Sequence, residues 1–289
     1  MSRSLNSCDM FHNVILKRGL YHMLNNINVL NFDHVYQDQV FLNKEKCNWI
    51  SLQSIPNTNL LCEKDTLRKI AKRLVYYKNS KLTMIGSGNY HYMTYLLLLK
   101  IQKPFTLVLF DHHTDTLKSP GDDLISCGSW VLESLQNIPK LEKVIIIGVS
   151  EDGEKYIPPS MERKVSLYTE HHLHYNFAKS CKSIIREIPT DEVYLSIDKD
   201  VLDKRDAITT WDQGTMRLRQ LMRIVKEIIK SKTISGVDIC GEYPVNPLNE
   251  FAQQTKDANE KNSYANQFII RRLQSWIKQV RQSDKLLHA

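Results

Sequence analysis

Two short segments of the 289-residue chain, Asp111-His112-His113-Thr114-Asp115 and Asp198-Lys199-Asp200, carry the residue types and spacing best suited to chemistry. Residues 111, 113 and 115 alternate, so in extended chain they project to one side, and 198 and 200 do the same. Carboxylates joined by an imidazole form a hard, mixed oxygen and nitrogen donor set of the kind that takes a divalent cation. A third segment, Gly86-Ser87-Gly88-Asn89-Tyr90-His91, is a flexible turn ending in a histidine, and a fourth runs from Asp238 to Cys240-Gly241-Glu242. Each segment alone is a common surface pattern. Together they would bury several carboxylates near one another, at a cost of several kcal/mol for each charge unless cations are present. The cluster therefore predicts a metal site.

The elements that must position these residues are short apolar runs rich in β-branched side chains, over 82–85, 106–110, 144–149, 165–168, 193–197 and 234–239. Such runs read as buried strands. Helical patterns fall between them, at about 64–78, 90–101, 125–137, 174–187 and 216–231, and a last one at about 262–282. Buried strands alternating with helices predict an α/β fold, three layers deep, with a mostly parallel central sheet. In such sheets ligands bind beyond the carboxyl ends of the strands, where the acids and histidines collect here. Residues 28–32 and 49–52 read as two further strands of the same sheet. With no linker, repeat or low-complexity tract, 1–289 reads as one domain.

Composition narrows the function. The chain is 42% hydrophobic and 25% charged, as in ordinary soluble proteins. Its net charge of +7 comes from scattered Lys and Arg, which argues against a nucleic-acid partner. The six cysteines form no CxxC pair and read as free thiols of a reducing compartment. The amino-terminal stretch lacks the apolar core of a signal peptide. The longest apolar runs are too short to span a bilayer. A cytoplasmic location and no membrane partner are expected.

The motifs taken together resemble those of the ureohydrolase family, which includes arginase, agmatinase and formimidoylglutamase. Its signatures GGDH, DxHxD and SxDxDxxDP are matched in order by Gly88 to His91, Asp111 to Asp115 and Ser196 to Asp203. The resemblance covers about residues 80–245, residues 1–60 being the divergent part, and implies an arginase-like fold with two Mn²⁺ ions. It makes Asp111 and Asp198 bridging ligands, with His91 and Asp115 completing one ion and His113 and Asp200 the other. The implied reaction is attack of a water, ionised between the cations, on the planar carbon of a guanidino or amidino substrate. Glu242 resembles the acidic residue that grips the substrate's positive group, with Asp212 as a second recognition candidate. The resemblance also implies a homo-oligomer.

The departures from the family pattern gather around the substrate. Tyr90 replaces the acidic neighbour of the histidine, Lys199 sits between the two aspartates, and Lys204 follows Asp203 in place of proline. Cys127, in Ser126-Cys127-Gly128-Ser129, stands where agmatinases carry a histidine, and is either a proton-handling thiol or a packing residue. Trp211-Asp212-Gln213-Gly214 replaces a glycine- and threonine-rich loop; Trp211 either walls the pocket or packs the domain. His112 should point away from His113, and Glu170-His171-His172-Leu173-His174 reads as a solvated loop. Two other functions fit the motifs: a scaffold or sensor that binds metal without catalysis, and a DHH-type phosphoesterase. The latter family places its DxD before the Asp-His-His rather than after it.

Overall fold

The computed structural model describes residues 26–286, apart from 78, 79, 246, 247 and 250 and the side chains of 280–286. Of the divergent region 1–60, residues 1–25 and Cys8 among them lie outside the described residues. The two strands expected there are present, as β1 (Asn26–Asn31) and β2 (Lys46–Ser51). Next come β3 (Leu61–Glu63), β4 (Leu82–Met84) and β5 (Phe105–Phe110), then β6 (Leu124–Ser126) and β7 (Leu141–Val149). The last three are β8 (Val165–Thr169), β9 (Glu192–Asp198) and β10 (Thr233–Cys240).

Eight of these strands form one sheet in the order β2-β1-β4-β10-β9-β5-β7-β8. Every pairing in it is parallel. Strand β5 shows why: all six residues are buried, so both faces of the sheet must be covered. Val108 and Phe110 face one core, while Phe105, Leu107 and Leu109 face the other. Helices α1 (Lys64–Leu74), α2 (Met93–Leu98) and α3 (Trp130–Asn137) cover the second face. Helices α4 (Glu170–Glu187), α5 (Leu218–Ser231) and α6 (Gln253–Leu286) cover the first. In α5 the apolar stripe of Leu221, Ile224, Val225 and Ile228 is fully buried and holds the helix to the sheet. Among the described residues no helix is long and apolar enough to cross a membrane.

Two expectations are corrected. Residues 125–137 do not make one helix: 124–126 pair antiparallel with β3 in a separate two-stranded sheet, and the helix starts at Trp130. Leu124, Ile125 and Ser126 alternate half-buried, buried, half-buried, a strand pattern too short to show in a helical window. The histidine-rich segment is not a loop, because Thr169 caps α4 by accepting from the His172 amide, and 170–174 form its first turns. His171, His172 and His174 are exposed there.

The chain runs from β4 to β5 across the positions that β10 and β9 later fill. The carboxyl ends of these four central strands lie side by side, and a crevice at such a crossover is where open α/β sheets bind ligands.

Candidate metal centre

Asp111 follows β5 directly, Asp198 ends β9, His91 follows the turn after β4, and Cys240 ends β10. The two aspartate segments do not stay extended, as their alternation predicts. The Asp111 carboxylate accepts the His113 amide at 2.7 Å, which folds the chain into a turn, and Asp115 adopts φ 53°. A non-glycine residue in this left-handed region is uncommon, and it recurs at functional sites. After β9, Asp198 caps a short 3-10 turn by accepting the Asp200 amide at 3.0 Å. The turn brings Asp198 and Asp200 into the cavity and sends Lys199 elsewhere.

His91 is the centre of the cluster. Its Nδ1 lies 3.3 Å from Asp111 Oδ2, 3.3 Å from Asp115 Oδ2 and 3.4 Å from Asp198 Oδ2. Its Nε2 lies 2.9 Å from the Ser196 hydroxyl, which itself donates to Asp238 at 2.6 Å. Ser196 has one hydrogen and gives it to Asp238, so His91 Nε2 must be the donor to Ser196. That leaves the Nδ1 lone pair facing three carboxylates, the tautomer a metal-ligating histidine takes. Without a cation, Nδ1 must instead carry a proton. Burial opposes that charge, but the Asp111 and Asp115 carboxylates hold His91 well above the ordinary histidine range. His113 Nδ1 lies 2.9 Å from Asp200 Oδ2 and 3.5 Å from Asp111 Oδ1. Burial opposes its charge too, yet hydrogen bonds with Asp111 and Asp200 push it up to about 12.

These donors form overlapping sets. His91, Asp111 and Asp115 are one, and Asp111, His113 and Asp200 are another, each with ligand atoms within 4.8 Å of one another. Asp111 belongs to both, and its buried Oδ2 has no hydrogen-bond partner. An unpaired buried carboxylate oxygen is costly in protein alone and is satisfied by a metal ion. The residues present fit a pair of divalent cations.

The cluster floors a cavity of about 550 Å³. Leu60, Leu61, Leu117, Tyr156 and Trp211 stand around it, each more than a third exposed. The β3–β6 pairing builds one side, fixed by the Cys127 amide donating to the Leu60 carbonyl at 2.8 Å. Trp211 walls another, its indole N–H donating to Asn89 at 3.0 Å and its ring edge-on to His113. Asp212 lines the mouth and is exposed. Cys127 also lines the cavity, half-buried, and burial followed by the Asp115 charge pushes its thiol up to about 12. Unaided, it stays a neutral thiol at physiological pH.

Two further expectations are revised by the geometry. His112 lies on the cavity rather than across the sheet, 3.3 Å from the Gly148 carbonyl, its amide donating to Asp200 at 3.0 Å. The turn at 111–115 destroys the alternation on which the opposite expectation rested. Glu242 is not among the residues lining the cavity. It is 2% exposed and ion-paired with fully buried Lys199, and it accepts from Gln39 at 3.0 Å and Asn266 at 2.7 Å. The unusual Lys199 was the signal for this withdrawal, since a buried lysine needs a carboxylate. Ser196 and Cys240 stand in segments singled out by the sequence, in step with Asp198 and Asp238, but were given no role there because a serine and a lone cysteine carry no ligand signal of their own.

Comparisons with known proteins agree with the fold and the motifs. A model of the Arginase family matches residues 21–261. An uncharacterized protein of Thermotoga maritima is 31% identical over 216 residues, covering 75% of this chain and 79% of that protein. A hypothetical agmatinase from Burkholderia thailandensis superposes with TM-score 0.60 at 17% identity, over 88% of this chain and 85% of that one. Formimidoylglutamase from Bacillus subtilis does so with TM-score 0.58 at 17% identity, over 83% of this chain and 85% of that one. At such identities the two solved structures establish likeness of fold.

Proposed function

This chain belongs to the arginase family, and from that premise we propose that it is a binuclear metal hydrolase cleaving a nonpeptide C–N bond of a guanidino or amidino compound. The observation that carries the reading is the pair of donor sets sharing Asp111, with its unpaired Oδ2, on the floor of the cavity. His91, Asp111, Asp115 and Asp198 would hold one cation, and Asp111, His113, Asp198 and Asp200 the other, Mn²⁺ being the family's expectation. Bound there, divalent cations supply Lewis acidity and lower the pKa of water towards neutrality.

The protein's own groups do the rest. Ser196 and Asp238 hold His91 in the tautomer that presents Nδ1. The Asp200 carboxylate, which accepts the His112 amide, keeps its other oxygen against His113. The apolar rim covers the body of the substrate and excludes water. Among the described residues lining the cavity there is no lysine or arginine to pair with a carboxylate, which favours a substrate tail without one. Asp212 at the mouth instead matches a second positive group, such as a terminal amine. With Glu242 buried, Asp212 takes over the cation recognition expected of it. Free thiols at all five cysteines among the described residues accord with a cytoplasmic location.

The test is metal content after incubation with Mn²⁺, followed by a panel of guanidino and amidino compounds scored for urea or amine release. About two ions per chain, with turnover of amine-tailed compounds over carboxylate-tailed ones, is the expected result. Two ions and no turnover anywhere in the panel would instead identify a metal-binding scaffold. Fewer than one ion, unchanged in Asp198→Asn, would overturn the ligand assignment.

A further inference from the structure

The sulfur of Cys240 lies within the donor cluster and belongs to no part of the reaction described above. Cys240 is fully buried at the end of β10, and its Sγ is 3.0 Å from Asp198 Oδ2. With His91 and Asp198 it forms a third donor set whose ligand atoms all lie within 4.8 Å of one another. Two ligands at about 2.0 to 2.3 Å from one ion can be at most about 4.6 Å apart. Three atoms no more than 4.8 Å apart lie within about 2.8 Å of a common point, so an ion there needs an adjustment of at most about half an ångström for the sulfur and a little more for the lighter donors.

The backbone is shaped for this approach. Gly241, directly after the cysteine, has φ 85°, and a Cβ there would meet Asp198 Oδ1 at 2.4 Å and the Lys199 amide nitrogen at 2.7 Å. Only glycine lets the chain turn this closely over the aspartate. Asp111 Oδ2, which makes no hydrogen bond, lies 3.3 Å from His91 Nδ1 and also points to a cation at this place.

We infer that Cys240 is a ligand of the His91-side metal ion, through its thiolate, making that half of the centre a mixed sulfur, nitrogen and oxygen site. The inference rests on the metal-centre reading and refines it. On binding, the S–H proton now given to Asp198 is released to solvent and the sulfur's electron pair goes to the metal. Soft thiolate selects zinc or cobalt over manganese, whereas the Asp111, His113 and Asp200 set remains hard. The two positions therefore differ in metal preference, and the His91 side departs from the Mn²⁺ expected of the family.

Cobalt tests this directly, because a thiolate ligand gives Co²⁺ an intense near-ultraviolet charge-transfer band that oxygen and nitrogen ligands do not. Metal-free protein, Cys240→Ser and Cys127→Ser are titrated with Co²⁺, with bound cobalt measured alongside absorbance. The expected result is the band in the unaltered protein and in Cys127→Ser, and its loss in Cys240→Ser. Zinc-edge X-ray absorption of the unaltered protein and Cys127→Ser gives a second readout that needs no change at 240, a sulfur shell at about 2.3 Å. Two bound ions with neither band nor sulfur shell would overturn the inference and leave the metal centre standing. A band or shell that vanishes in Cys127→Ser would assign the ligand to the wrong cysteine. No bound metal at all would overturn the centre together with its sulfur.

Discussion

Two buried charged clusters lie on either side of the turn that ends β9, and they are resolved in opposite ways. Lys199 and Glu242 neutralise each other; Asn266 donates to the same Glu242 Oε1 as the lysine, and Gln39 donates to Oε2. Its charges balance within the protein, although the buried Asn266 Oδ1 has no hydrogen-bond partner. One residue away in either direction, Asp198 and Asp200 join Asp111 and Asp115 around two histidines, with an oxygen left unpaired. Four carboxylates against two imidazoles remain short of positive charge even when both rings are protonated. The difference separates a structural ion pair from a candidate ligand-binding cluster: the first balances its charge in protein alone, and the second is left with an excess of carboxylates that cations would balance.

Predictions follow from breaking each side of that comparison. The largest effect is expected for Asp198→Asn, which removes a donor facing His91. Bound Mn²⁺ should fall from about two per chain to one or fewer, with hydrolysis reduced more than about a hundredfold, beyond the cost of losing an outer partner. Metal analysis and steady-state rates on one preparation check both. On the other side, Lys199→Met leaves Glu242 buried without its cation and should destabilise the fold by about 3 to 5 kcal/mol. Denaturant unfolding measures that loss, and the variant that still folds at low temperature should keep its metal stoichiometry.

The pH dependence of the metal-free protein sharpens the same contrast. Burial and then the Asp200 charge raise Asp198 to about 7; burial and then Asp111 raise Asp200 to about 6; burial raises Asp238 to about 6. An unfolded aspartate titrates near about 3.9, so between about 4 and 7 the native state holds protons that the unfolded chain has released. Stability of the metal-free protein should therefore fall as pH rises through that window. His113, pushed up to about 12, acts in the same direction: its contribution is complete below about 6.5 and is lost as pH rises through its folded value. Added Mn²⁺ should raise the melting temperature more at pH 8 than at pH 5, and a flat profile would contradict a buried carboxylate cluster. The smallest effect is expected at the rim. Trp211→Ala should raise KM about tenfold for substrates with an apolar body and leave kcat nearly unchanged, the signature of lost uniform binding.

Much of this architecture was readable because short β-branched runs such as Val144 to Ile147 favour buried strands over helices, and because ligand types stood at strand ends. The helical face of α5 was equally plain from its stripe of leucine and isoleucine. What escaped reading was set by contacts distant in sequence or by turns. The strand at 124–126 exists only because β3 supplies its partner. The side on which His112 falls depends on the left-handed Asp115 and the turn capped by Asp111. Glu242 was displaced by Lys199 together with Asn266 of the last helix, three residues that no local pattern connects. Cys240 contributes through the close approach of Gly241 to Asp198, a consequence of neighbouring strands that lie far apart in the chain.

The small β3–β6 pairing stands outside the eight-stranded sheet and shares no strand with it. It carries Leu60, Leu61 and Cys127 to the cavity, while the carboxylates hang from the central strands. Cys62 and Ile125 anchor the pairing in the core beneath the second face of the large sheet, while its ends reach the cavity. The labour is thereby divided: the central strands carry the candidate ligands, and a separate two-stranded ribbon helps to wall the space that leads to them.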